Sequence, residues 1–332
     1  MKFEPGILER LQQLEKKYEA MGQDLKSYLD GLLYADYPTY WNYIHLDTLL
    51  SLQNPNTDFP DETVFIIYHQ ITELYFKLIL HEINQISKNG RVVLKTGENL
   101  GWRKELSVSF FTERVSRINR YFESLTKSFE IMIDGMEKEQ FLRFRMALLP
   151  ASGFQSAQYR MIEICSTDFI RLISHDARKK FANKKDPDIE EMYKDAYWKK
   201  GATELATGKK TLTLMQFEKK YTPQLIKLAK EYKNCNLRVK YVSLSAKDRK
   251  NKELIAALRQ LDVNVNVNWP LVHYKSAVRY LHKDTKDIQA TGGTNWQQYL
   301  PPKFQKRIFY PELWSDGDIA NWGKGWVESL KH

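Results

Sequence analysis

The chain is poor in cysteine. It has two in 332 residues, Cys165 and Cys235, with neither CxxC nor CxxCH spacing. That argues against a disulfide framework, a cysteine zinc site and a thioether-linked cofactor. Long apolar runs are also missing. No window reaches the roughly 18–20 apolar residues of a membrane span, so no membrane partner is expected. The opening MKFEPGILERLQQLEKK is charged within its first four residues and has no apolar h-region. No secretory signal is read there, and the expected location is cytoplasmic. No P-loop or GxGxxG follows a strand-like run, so nucleotide chemistry has no support. HExxH and Glu-x-x-His patterns are absent, which disfavours zinc and di-iron sites. Neither a Ser-His-acid nor a Cys-His arrangement is legible, and no internal repeat is evident.

What is present is mostly helical. At 42% hydrophobic and 13% aromatic content, the chain can bury a substantial core as one large domain or two small ones. Its 8 Trp, 19 Tyr and 16 Phe suit a protein that walls a flat ligand, although aromatics commonly just fill cores. The net charge of +10 is spread over helix surfaces and the stretch from Arg178 to Lys252. Such a run usually marks a solvated face, so no nucleic-acid partner is expected.

Ile7, Leu11, Leu14 and Tyr18 form one narrow apolar stripe, predicting an amphipathic N-terminal helix. A Tyr-, Pro- and Trp-rich loop, Tyr34 to Tyr43, leads into IHLDTLLSL. A Pro-rich turn then precedes a long helix from about Thr63 to Ser87, with Asp61 as its candidate N-cap. That helix is apolar on nearly all sides and is expected to be central. Another helix, from about Trp102 to Gly135, lines up Val115, Ile118, Phe122, Leu125 and Phe129. From about Thr167 to Leu261 lysine becomes frequent, and this stretch reads as a helical insertion outside the core. Core character returns at Val263.

Four places could carry chemistry. In FLRFRMALLPASGFQSAQYR, Pro150 breaks one helix, Ala151-Ser152-Gly153 makes a corner, and a second helix begins near Phe154. Arg145 stands just before the corner among apolar residues. Its planar fork suits a carboxylate, with Ser152 facing a second anion; the other reading is an Arg bonding helix-end carbonyls. His273 lies about one turn into a helix starting at Trp269-Pro270, either as a metal or haem ligand or as a satisfied core residue. His69 sits in the most apolar helix, one turn after Phe65, able to orient a ligand N–H or to bond a neighbouring helix. Thr291-Gly292-Gly293-Thr294 allows close backbone approach to a ligand, or is simply a turn.

Taken together, YWNYIHLDTLL, FIIYHQITELYFKLILHEI, FRMALLPASGFQSAQYR, the WxxxH ending at His273 and TGGT resemble the tryptophan 2,3-dioxygenase family. The resemblance runs from about Tyr40 to Thr294 and is poor over the lysine-rich stretch. It implies an all-α, haem-binding helical bundle of the tryptophan/indoleamine dioxygenase type with a lysine-rich helical insertion. Residues 1–30 would be an N-terminal helix engaging another subunit. Residues 31–166 would form the distal side of the haem core, 167–261 the insertion, and 262–332 the proximal side and tail. The implied cofactor is non-covalent haem b, ferrous for activity, with O2 as co-substrate.

By the same resemblance, His273 is the axial iron ligand and Trp269 stands beside it. Ser152 lies near the haem edge and a propionate. His69 meets the indole N–H, with Phe65 against the ring, Arg145 on the substrate carboxylate and Thr291 on its ammonium and carboxylate. Tyr40 and Tyr43 would come from a neighbouring subunit of a homotetramer. The implied reaction opens the indole of L-tryptophan to N-formyl-L-kynurenine, the first step of tryptophan catabolism by the kynurenine pathway. The alternative is a sister haem mono-oxygenase acting on an indole or phenol. Phe141 stands where some members carry Tyr, and the spacing from His273 to Thr291 is longer than usual, with a polar insert from His282 to Lys286.

Overall fold

The computed structural model describes residues 6–90, 105–203, 209–283 and 306–323, with residues 4, 286, 287 and 302. Its contacts divide the chain into Met1–Asn54 and Pro55–His332. The fold is all-α.

The first unit contains α1 (Ile7–Ala20), α2 (Leu25–Leu33), α3 (Tyr40–Tyr43) and α4 (Leu46–Leu50). Asp24 caps α2, its carboxylate accepting from the Lys26 and Ser27 amides. Tyr18 and Tyr28 meet edge to face at 4.7 Å and tie α1 to α2. No residue of these four helices is buried.

The second unit carries α5 (Pro60–Ser87), α6 (Val108–Ser128), α7 (Glu130–Ile133), α8 (Lys138–Phe144), α9 (Ala157–Ser166), α10 (Ile189–Lys194), α11 (Tyr197–Lys200), α12 (Leu212–Tyr232), α13 (Leu237–Val242), α14 (Lys252–Val263) and α15 (Trp269–Leu281). Helix α5 starts earlier than expected because Pro60 takes its first position, where a missing N–H costs nothing. Asp61 is therefore inside the helix, not its cap. Its carboxylate accepts from the Glu137 amide at 2.6 Å and so holds the start of α8. Helix α5 is also less enclosed than expected, since Ile67, Ile71, Leu74 and Leu78 stay 40–49% exposed.

Helix α6 begins at Val108, where the Ser107 hydroxyl accepts from the Phe110 amide; the expected start at Trp102 lies outside the described residues. Its stripe packs as the spacing predicts, with Val115, Ile118, Phe122 and Leu125 fully buried. The lysine-rich stretch shares this core. Trp198, Phe217 and Leu225 belong to the same apolar cluster as Phe76 and Phe122. Its lysines face outward in ion pairs such as Lys184–Glu191 at 2.8 Å and Lys200–Asp176 at 3.1 Å. Helix α12 runs unbroken through Pro223. Leu214, Phe217 and Leu225 bury on both sides of that residue, while Pro223 itself is exposed. The carbonyl it leaves without a partner is on the wet side.

Helices α14 and α15 form one rod. Between them Asn264–Asn268 winds as a π turn, so Trp269-Pro270 continues a helix instead of opening one. Within the polar insert, His282–Lys283 pairs antiparallel with Lys286–Asp287.

Candidate active site

Helix α5 presents His69 one turn after Phe65. The His69 Nδ1 lies 2.8 Å from the Phe65 carbonyl. A carbonyl only accepts, so Nδ1 carries the proton and Nε2 keeps a lone pair. The two rings stack obliquely, 4.1 Å between centroids. Burial pushes the His69 pKa down, so the imidazole is neutral near pH 7.

Helix α15 repeats the arrangement. The His273 Nδ1 donates to the Trp269 carbonyl at 2.8 Å, and Trp269 meets the imidazole edge to face at 4.5 Å. Burial pushes His273 down to about 4, and repulsion from His69 adds to the shift. Both imidazoles pack on one run of aromatic rings. A bridge of rings joins them: His273 to Phe129 at 4.5 Å, Phe129 to Tyr68 at 5.6 Å, Tyr68 to His69 at 6.1 Å. Two neutral histidines thus offer acceptor nitrogens inside an aromatic chamber. Among the described residues no three His, Cys, Asp or Glu side chains gather as a metal-binding group. A neutral imidazole with its Nδ1 held by backbone and its Nε2 lone pair free is the kind of ligand a haem iron takes.

A family model described as Tryptophan 2,3-dioxygenase matches residues 31–265. The chain belongs to the tryptophan 2,3-dioxygenase family. Curated relatives of that name include one from Ruegeria sp. (strain TM1040), 40% identical over 130 residues, 39% of this chain and 42% of the relative. One from Bacillus thuringiensis (strain Al Hakam) is 36% identical over 125 residues, 38% of this chain and 40% of the relative. A "Tryptophan 2,3-dioxygenase 2" from Ralstonia nicotianae (strain ATCC BAA-1114 / GMI1000) is 40% identical over 131 residues, 38% and 33% of the two chains. The matched stretch therefore spans less than half of these relatives. The family match ends before His273, so that residue's reading stands on its own geometry and on the WxxxH pattern.

Arg145 follows α8 directly, as the first residue of a 3-10 turn, Arg145–Leu148. It is 6% exposed, and burial draws its pKa down from the usual range. Its neighbour Phe144 touches Phe65 at 5.8 Å, and Phe141 lies 6.3 Å from the same ring. The guanidinium therefore sits on the segment that walls the His69 side. Phe141 packs on Tyr280 at 4.5 Å.

The corner after Pro150 is tied from two directions. The Ser152 Oγ accepts from the Phe154 amide at 3.3 Å and keeps its own proton to donate. The Gln155 side chain donates to the Thr213 carbonyl at 3.1 Å, and the Thr213 hydroxyl donates to the Pro150 carbonyl at 2.9 Å. The lysine-rich stretch thus buttresses the Ser152 corner from α12. Only a 3-10 turn, Gly153–Gln155, forms at Phe154; α9 starts at Ala157 because the Ser156 hydroxyl caps it.

The described contacts bring together Phe65, His69, Trp269 and His273, and set Arg145 beside them through Phe144. No described hydrogen bond or ring contact joins Ser152 to that group. Tyr40 and Tyr43, in the first unit, are 70% and 75% exposed. Thr291, with Gly292, Gly293 and Thr294, lies outside the described residues. Sequence reading missed Tyr68, which bridges the two histidine walls, and saw Phe129 only as part of a core stripe. The i to i+4 spacing of Tyr68 with Thr72 reveals only that it faces inward.

Proposed function

We propose that this chain is a haem-dependent dioxygenase that opens the indole ring of L-tryptophan to N-formyl-L-kynurenine. The observation that carries the reading is the pair of neutral histidines with Nδ1 held by backbone and Nε2 left as acceptor. His273 would hold the iron of a non-covalent haem b through Nε2, with Trp269 against its ring. When bound in its ferrous form, the haem would supply an iron that activates O2, both atoms of which enter the product.

The chain's own residues do the positioning. The His69 Nε2 accepts the indole N–H, and Phe65 lies against the ring. An indole N–H is a very weak acid, so His69 orients the substrate more than it deprotonates it. The Arg145 fork takes the substrate carboxylate, and Thr291 contacts its ammonium and carboxylate. The Ser152 hydroxyl would donate to a propionate of the bound haem. The aromatic walls exclude water and fix the reacting geometry.

Tyr40 and Tyr43 would complete the pocket from a neighbouring copy in a homotetramer. Two observations support an assembly. Helices α1–α4 bury no residue of their own, and α5 leaves Ile67, Ile71, Leu74 and Leu78 as an exposed stripe of the kind a second helix covers. We place the enzyme in the cytoplasm, at the first step of tryptophan catabolism by the kynurenine pathway. Among the described residues no helix is long and apolar enough to cross a membrane.

The test is to mix reduced, haem-loaded protein with L-tryptophan and O2 and weigh the product. A product heavier by two oxygen atoms supports the dioxygenase. A product heavier by one indicates a sister mono-oxygenase. No product, with haem bound and reducible, defeats the substrate reading.

A further inference from the structure

The rod that carries His273 is wound unusually just before it. The Trp269 N–H donates to the Asn264 carbonyl, five residues back. In that register the next carbonyl, Val265, would accept from residue 270. Residue 270 is proline and has no N–H. Val265 is fully buried, so water does not serve its carbonyl either. The Tyr159 hydroxyl does, donating to that oxygen at 2.8 Å from α9. Burial pushes the Tyr159 pKa well up, so the phenol keeps the proton it donates. Its ring packs on Phe76 at 5.7 Å, and Phe76 meets Trp269 edge to face at 5.7 Å.

A π turn inserts one residue, which rotates everything after it by about 100° relative to a straight α-helix. The direction of His273, and of the Trp269 carbonyl that fixes its tautomer, therefore depends on the turn being kept. Side chains steady its flanks. Asn266 donates to Asp262 at 2.7 Å, and Asn264 donates to Asn119 at 3.2 Å. Tyr159 meets the backbone itself.

We propose that Tyr159 is a positioning residue for the haem ligand: its hydroxyl stands in for the N–H that Pro270 lacks and so holds the π turn that aims His273. This rests on His273 being the axial ligand, as read above.

The experiment uses the full-length, haem-loaded ferrous protein. Resonance Raman reads the iron–imidazole stretching band, and transfer to excess apomyoglobin reads haem loss. Tyr159→Phe keeps the ring and removes the donor. The band should move or broaden, and haem should leave about tenfold faster, as expected for one lost buried hydrogen bond. Far-UV circular dichroism should stay unchanged. Pro270→Ala restores an N–H at the right place, so in that background Tyr159→Phe should change neither readout. The proposal is overturned by an unaltered band and haem-loss rate in Tyr159→Phe. Equal changes in both backgrounds, or failure of both Tyr159→Phe proteins to fold, overturn it too. Wild-type protein with no iron–imidazole band would instead remove the reading of His273, and the proposal with it.

Discussion

Replacing His273 with Phe in the haem-free protein should change how stability depends on pH. The folded imidazole titrates at about 4, against an ordinary 6.5, because burial disfavours its charged form. Above 6.5 both folded and unfolded chains hold it neutral, and there is no penalty. As the pH falls from 6.5 toward 4, the unfolded chain takes a proton that the folded chain refuses. Stability is therefore lost through that window and is complete above it. Linkage puts the loss at about 2 kcal/mol between pH 7 and pH 5.

Asp262 carries the opposite sign. Burial pushes it up to about 6, so its folded form gains protons first and it destabilises the fold as pH rises. It is present in both proteins, so the difference between wild type and variant isolates His273. Urea unfolding of both proteins at pH 7 and pH 5 supplies that difference. The wild type should lose about 2 kcal/mol more than His273→Phe on acidification. Parallel losses in the two proteins would refute the claim that the folded His273 stays neutral at pH 5.

Three other outcomes are expected. Arg145→Leu should lower kcat/KM for L-tryptophan by about 10- to 100-fold, the worth of hydrogen bonds to a charged group. Tryptamine, which lacks the carboxylate, should then be turned over equally by both proteins, and an equal drop with tryptamine would defeat the assignment. His69→Ala should slow turnover without abolishing it, and complete loss with haem retained would rule out a purely orienting role. Glu163→Gln should cost about 3–5 kcal/mol in urea unfolding, because it strips the anion from buried guanidiniums. Glu163 is fully buried and accepts from Arg160 at 2.9 Å, from the Tyr197 hydroxyl at 2.6 Å and from Arg307. A loss below about 1 kcal/mol would mean the cluster is better solvated than its burial indicates.

Much of the fold was legible because helix faces repeat locally. The stripe Val115, Ile118, Phe122 and Leu125 predicts its own burial, and it is buried. The candidate residues were legible because their chemistry conflicts with their surroundings: Arg145 among apolar neighbours, His69 and His273 on apolar helix faces. Misreadings came where a distant partner decides. Asp61 looks like a cap by spacing, yet its carboxylate is taken by the Glu137 amide, 76 residues away. The lysine-rich stretch looks external by composition, because its charges outnumber the Trp198, Phe217 and Leu225 side chains that join the core.

The sequence by itself determined the all-α class, the family and the residue types available for a buried site, since periodicity and motif are properties of neighbours along the chain. Tertiary structure alone decided that the two histidines share one interior, with Phe129 and Tyr68 between them. It also gave the Val265 carbonyl a donor in Tyr159, 106 residues away. Burial sets the protonation of an imidazole, and a missing backbone donor is replaced only by a group brought near in space. Neither is encoded in local spacing.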